Sequence, residues 1–158
     1  MKNIFKYVLL IIFCLFLFVF LVLNNSNKVN LTKNNIELNN IDFVKIDDKE
    51  IKVEIVKTKE AQAIGLSGRE ELKKDEGMLF VFEQPAVYSF WMKGMKFSID
   101  MIWLDQDKKI IYIQKNATPE SYPESFGPKQ NALYVLEVVS GFSEENNLKI
   151  GDILEFAI

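Results

Sequence analysis

The most visible feature of the chain is a change in hydrophobic period. Residues 4–23, "IFKYVLLIIFCLFLFVFLVL", are apolar at nearly every position and carry no charge from Tyr7 to Leu23. Twenty residues rising ~1.5 Å each as a helix reach about 30 Å, the hydrocarbon thickness of a bilayer. A helix apolar on every side has no polar face to turn to water, which argues against an amphipathic core helix. Lys2 and Lys6 precede the run and favour a cytoplasmic amino terminus, while Lys28 and Lys33 weaken that bias. A cleavable signal would show a shorter apolar core and small residues at the cut site, and "VLNNSNK" offers no such pair. A lipoprotein anchor is disfavoured because Phe13 precedes Cys14. Residues 1–23 are thus expected to form one N-terminal transmembrane helix, an uncleaved anchor, with a cleaved signal segment as the alternative.

Residues 24–40 are asparagine-rich, lack periodicity and read as a flexible tether. "NLT" at Asn30 matches a glycosylation acceptor, a short pattern that matters only in a secretory host.

From residue 41 the period falls to two. "EIKVEIVK" alternates Ile51, Val53 and Ile55 with Lys52 and Glu54, as a half-exposed strand does. "TKEAQAIGLSGRE" predicts a short helix capped by Thr58 and ended by Gly65. "GMLFVFE", "AVYSFWM", "DMIWLD", "KIIYIQK", "LYVLEVV" and "DILEFAI" predict six further strands. "LDQDKK" predicts a tight hairpin with Asp105 and Asp107 in the turn, and "SGFSEENN" a second short helix begun by Ser140. Seven or eight strands with two short helices predict a mainly β fold, a small antiparallel β-barrel or sandwich-like domain over residues 41–158.

Composition then narrows the chemistry. There is no histidine, and Cys14 is the only cysteine. That removes Ser-His-Asp and Cys-His nucleophile systems, His/Cys zinc sites and disulfides within the domain. Residues 1–40 carry four lysines and one glutamate, net +3, whereas residues 41–158 carry fifteen basic and twenty-one acidic side chains, net −6. An acidic domain repels phosphate backbones, so no nucleic-acid partner is expected. "DQDKK" lacks the glycine and closing glutamate of a calcium loop, and "GLSGR" lacks the lysine and spacing of a phosphate-binding loop. No metal or cofactor is therefore expected.

"GLSGRE", "DEGMLFVF", "FWMKGMKFSIDMIWLD", "YVLEVVSGF" and "LKIGDIL" follow one another in an order that resembles the domain of unknown function 192 family, also called uncharacterised protein family 0127. The resemblance spans about residues 50–157. It implies a compact, mainly β, barrel-like domain, often behind a signal or anchor segment, and no established activity or catalytic residue. The chain departs from the family after Trp91-Met92-Lys93. Asn-Thr and a later Pro are usual there, and this chain has Gly94-Met95 and Ser98.

Charges inside strand-like sequence mark the first candidate site. Glu137 lies on the face of Val135, and an unpaired buried carboxylate costs several kcal/mol, so it must be exposed, paired or protonated. Arg69 and Lys93 are the natural partners, and Arg69, Lys93, Asp100 and Glu137 are expected to form one polar cluster at a barrel end. A register-fixing role and a ligand or acid–base role are both open for it. Lys96 reads as a solvated turn residue, and Trp91 and Trp103 as core filling. The second candidate is the long stretch 116–132, with Pro119, Tyr122, Pro123 and Phe126 as a binding loop; packing on its own barrel is the equal alternative. These features together predict a membrane-anchored extracytoplasmic domain that binds a protein, peptide or small ligand without catalysis. The alternative is a cell-envelope hydrolase using Asp100 and Glu137 as a carboxylate pair about 5–9.5 Å apart.

Overall fold

The structure is a computed structural model that describes residues 41–46 and 49–158. The expected membrane helix (1–23) and tether (24–40) lie outside the described residues. Among the described residues, no helix is long and apolar enough to cross a membrane.

Alternation sets most of the strands. In β2 (Lys49–Val56), Ile51 and Val53 are buried while Lys52 and Glu54 face water. β1 (Ile41–Ile46) pairs with it antiparallel. α1 (Lys59–Ile64) follows, its first turn held by the Thr58 hydroxyl, which accepts the Ala61 N–H at 3.2 Å. Gly65 ends it at φ +52, a left-handed backbone that glycine adopts at no steric cost. The chain then returns as β3 (Glu76–Ala86), which lies parallel to β2.

β4 (Phe90–Trp91), β5 (Ile99–Leu104), β6 (Ile110–Ala117), β7 (Ser125–Phe126), β8 (Ala132–Val139) and α2 (Phe142–Glu145) complete the domain. The main sheet runs β1-β2-β3-β8-β5-β6, and β4 and β7 form a separate ribbon. The sheet is mixed and open, which corrects the expected antiparallel barrel. The β2–α1–β3 crossover makes one pair parallel, and β1 and β6 are not paired with each other. "DILEFAI" is not a regular strand either. It touches β1 through a Lys45–Glu155 bridge and the start of β6 through a Lys109–Ile153 bridge, laying Leu154 and Phe156 over the sheet.

Side chains from the two faces fill two cores. Ile51, Val53, Leu79, Ile102, Leu104, Leu136 and Val138 point to one, which α2 and the C-terminal segment cover. Met78, Phe80, Ile99, Met101, Trp103 and Val135 point to the other, beneath the segment after α1 and the β4 region. Trp103 is fully buried as expected, but Trp91 is 52 % exposed and fills no core. α2 begins at Gly141, in the left-handed region, and not at Ser140, whose hydroxyl turns to the Asn116 side chain.

Gly77 on β3 pairs with Val138 and packs closely against the β8 backbone. A Cβ there would lie 2.9 Å from the Glu137 carbonyl oxygen. Gly77→Ala is expected to cost about 2 kcal/mol through a forced backbone shift, read as a lower urea midpoint at unchanged slope.

Candidate functional site

Strand register decides where the four charged candidates go. Across the β5–β8 pair, Asp100 faces Val138 and Met101 faces Glu137. Directly opposed residues share a face and neighbours on one strand alternate, so Asp100 and Glu137 point to opposite sides of the sheet. The expected cluster is therefore not assembled, and the two carboxyls cannot share a water as a hydrolytic pair requires.

Asp100 is fully buried beside the first core and accepts three backbone N–H groups. Its Oδ1 takes Asn116 at 2.9 Å and Gly141 at 3.2 Å, and its Oδ2 takes Ser143 at 2.8 Å. These bonds join the end of β6, the turn after β8 and the first turn of α2. That is a structural junction, with every contact spent on the fold. Lys93 is exposed and lies over the Trp91 ring, 5.5 Å from its centroid.

Glu137 stands in a row across the other face. Its cross-strand neighbours are Met78 on β3 and Met101 on β5, and Met78 in turn faces Glu54 on β2. Arg69 reaches this row and donates to the Glu54 carboxylate. Glu137 itself is only 5 % exposed, and its Oε2 is buried without a hydrogen-bond partner. Burial pushes its carboxyl up to about 8, against a smaller downward pull from the Arg69 charge. Burial thus favours its uncharged, protonated form.

A cleft of about 360 Å³ opens above it, with Glu137 in its lining. Phe80, Phe82, Tyr88, Phe90, Trp91 and Met95 make its apolar walls, and Lys59, Gln62 and Ser67 supply polar lining. The walls are braced. Phe82 and Tyr88 stack with ring centroids 3.5 Å apart, and Phe90 meets Phe80 edge-on at 4.8 Å. The Trp103 indole N–H donates to the Tyr88 carbonyl at 2.9 Å, and the Gln62 amide nitrogen holds α1 to the Val81 carbonyl at 2.8 Å.

The "GLSGRE" and "FWMKGMK" segments are clamped together beside the cleft. The Ser67 hydroxyl donates to the Lys93 carbonyl at 2.9 Å, Gly68 N–H donates to the Gly94 carbonyl at 2.9 Å, and Lys96 pairs with Glu70. Lys96 is exposed in a bend, as expected, and its ammonium also pairs with Glu70. The lysines of the apolar segment lie outside its strands, in a loop that supports the cleft.

The 116–132 stretch is ordered. It contains a short 3₁₀ turn at Pro119–Ser121, a cis Tyr122–Pro123 bond and β7, which pairs with β4 through Phe90–Phe126 and Trp91–Ser125. Phe126 packs against the second core, while Tyr122 meets the exposed Trp91 edge-on at 5.8 Å. Pro119 and Pro123 shape the segment, which braces the cleft's outer wall. The aromatic lining was the part that sequence reasoning missed. Its signal was the spacing of Phe80, Phe82, Tyr88 and Phe90 on neighbouring strand-like runs.

The fold and the cleft define a class of small mixed-sheet domains in which a short helix and a clamped loop flank a buried acid. Two solved structures are similar to it. One, from Sinorhizobium meliloti 1021, is described as a candidate transcription regulator; it is 27% identical over 73% of this chain and 91% of that one, with a TM-score of 0.67. The other, from Novosphingobium aromaticivorans DSM 12444, is described as a protein of unknown function; it is 30% identical over 73% of this chain and 83% of that one, with a TM-score of 0.65. No functionally curated protein matches. Residues 43–156 match the domain of unknown function 192 family, described as an uncharacterized ACR, and the chain belongs to that family.

Proposed function

We propose that this protein is a non-catalytic binding module whose cleft captures a small ligand over Glu137, and that residues 1–23 anchor it in a membrane with the domain outside the cytoplasm. One observation carries the binding half. Glu137, whose carboxyl oxygen Oε2 is buried without a partner, lines a cleft walled by aromatic rings. Buried polar atoms are nearly always satisfied, and an orphan in a concave site marks a place where a ligand supplies the missing bond. A cleft of about 360 Å³ falls within the range of small-molecule sites.

Catalysis is not supported. Hydrolytic carboxylate chemistry needs two acids on one side of a bond, and Asp100 faces away from Glu137. The transcription-regulator description of the Sinorhizobium protein does not transfer, because a domain of net charge −6 repels a phosphate backbone. Support for the anchor is the uncharged run Tyr7–Leu23 behind Lys2 and Lys6.

Binding is tested by fragment screening of the full chain in mild detergent, followed through its methionine methyl signals. Hits are expected to move Met95, which lines the cleft, and to be lost in a Trp91→Ala, Phe82→Ala double variant that remains folded. Hits that move only distant methyls would contradict the reading. For topology, external protease is expected to digest the domain in spheroplasts before lysis. Protection until the membrane is broken would overturn the extracytoplasmic placement.

A further inference from the structure

Several polar side chains around the cleft are committed within the fold. The Tyr88 hydroxyl donates to the Gln84 carbonyl at 2.7 Å, and the Ser67 hydroxyl donates to the Lys93 carbonyl. The Gln62 amide nitrogen donates to the carbonyls of Val81 and Val56. Arg69, which faces Glu137 from the segment after α1, is committed to Glu54. Glu137 also lines the cleft, and its carboxyl oxygen Oε2 is buried with no hydrogen-bond partner. Lys59 and Ser89 also line the cleft, and aromatic rings, aliphatic side chains and the Met95 thioether make up most of the rest.

Charge then selects the ligand. A cation would have to ionise a buried acid and enter beside the charge of Arg69, with Lys59 in the lining and Lys93 on Trp91. An anion would give up its hydration to meet a buried carboxyl with Glu54 close behind, and the Arg69 guanidinium already pairs with Glu54. An uncharged carboxyl presents one O–H donor and one C=O acceptor in a plane. Its complement is a flat group with one acceptor and one donor at the same spacing.

We infer that the cleft takes an uncharged ligand built of a planar ring with a carboxamide or lactam edge, which forms a paired hydrogen bond with the Glu137 carboxyl while its ring lies among Phe80, Phe90 and Met95. This rests on the reading of the cleft as a ligand site. The ring supplies apolar burial, and the paired bonds supply selectivity, because a site built around a buried hydrogen-bonding group rejects partners that leave it unpaired.

The test uses the full chain in detergent, carbon-13 labelled at the methionine methyls, titrated at pH 6.5 with benzamide, benzylamine and benzoate. These share one ring and differ in the head: neutral amide, ammonium and carboxylate. Benzamide is expected to shift Met95 with a Kd on the order of 1 mM, at least about ten-fold tighter than either charged probe. Glu137→Gln keeps a donor and an acceptor and is expected to retain benzamide; Glu137→Met is expected to lose it by about ten-fold or more, with a dispersed spectrum reporting the fold. Raising the pH from 7 to 9 is expected to weaken benzamide about ten-fold in wild type and leave Glu137→Gln unchanged. That variant controls for the other charged groups near Glu137, namely Arg69, Glu54, Lys59 and Lys93. A charged probe that moves Met95 more tightly than benzamide overturns the ligand class and leaves the cleft as a binding site. Silence of Met95 toward all three probes overturns both.

Discussion

Glu137→Gln stabilises the domain at alkaline pH, and the gain grows with pH. The folded protein holds the Glu137 proton up to about pH 8, whereas the unfolded chain releases it near 4.5. Between those values the native state binds more protons than the unfolded one, so stability falls as pH rises. At ~1.36 kcal/mol per pKa unit, the loss from this group is about 1 kcal/mol at pH 5 and about 4 kcal/mol at pH 8. Glutamine has similar volume and no charge to desolvate. Its own hydrogen-bonding mismatch adds an offset that does not depend on pH. The difference in unfolding free energy between variant and wild type is therefore expected to widen by about 3 kcal/mol from pH 5 to pH 8, measured by urea denaturation at each pH. A flat difference would mean that Glu137 ionises freely in the native state.

Asp100→Ala is expected to do the opposite at every pH where the wild type folds. The substitution leaves the N–H groups of Asn116, Gly141 and Ser143 without their acceptor at a site that is fully buried. Unsatisfied buried donors cost about 1–3 kcal/mol each, and part of that is recovered by local relaxation or entering water. A net loss of about 4 kcal/mol, or about 15 °C in Tm, follows for a domain of this size. Asp100→Asn keeps one acceptor oxygen and is expected to lose about half as much. The pair of experiments separates the two acids. Asp100 variants shift stability and spare fragment binding under folding conditions, while Glu137 variants change both binding and the pH dependence of stability.

The contrast between these acids shows what a single sequence can and cannot convey. Alternation along "KVEIV" or "LYVLEVV" identifies strands, and it places Glu137 with Val135, because that information is local. Whether Asp100 faces the same side depends on register between β5 and β8, set by contacts some forty residues apart in sequence. A slip of one residue would bring the two carboxyls together. The same limit hides the parallel β2–β3 pair, since nothing within either strand states its direction relative to the other.

Local chemistry was more readable. Thr58 and Gly65 bound α1 as their preferences require. Asp105 organises the β5–β6 turn by accepting the N–H groups of Asp107 and Lys109. "DILEFAI" has a strand's composition, yet its pairing is reduced to single bridges and its apolar residues serve as cover. Exposure of Trp91 was invisible for a related reason. Its face is set by the short β4–β7 ribbon and not by the main sheet. The cleft arises only when α1, β3, β4 and β8 converge, so its aromatic lining could be suspected from composition but not assembled.

Selection of an uncharged partner by the cleft requires Glu137 to keep its proton at neutral pH. Carbon-13 NMR of the glutamate side-chain carboxyls, with Glu137 assigned by comparison with Glu137→Gln, follows that proton directly. A midpoint near pH 8 is the predicted result. A midpoint near 4.5, the ordinary glutamate value, would show a solvated carboxylate and contradict it.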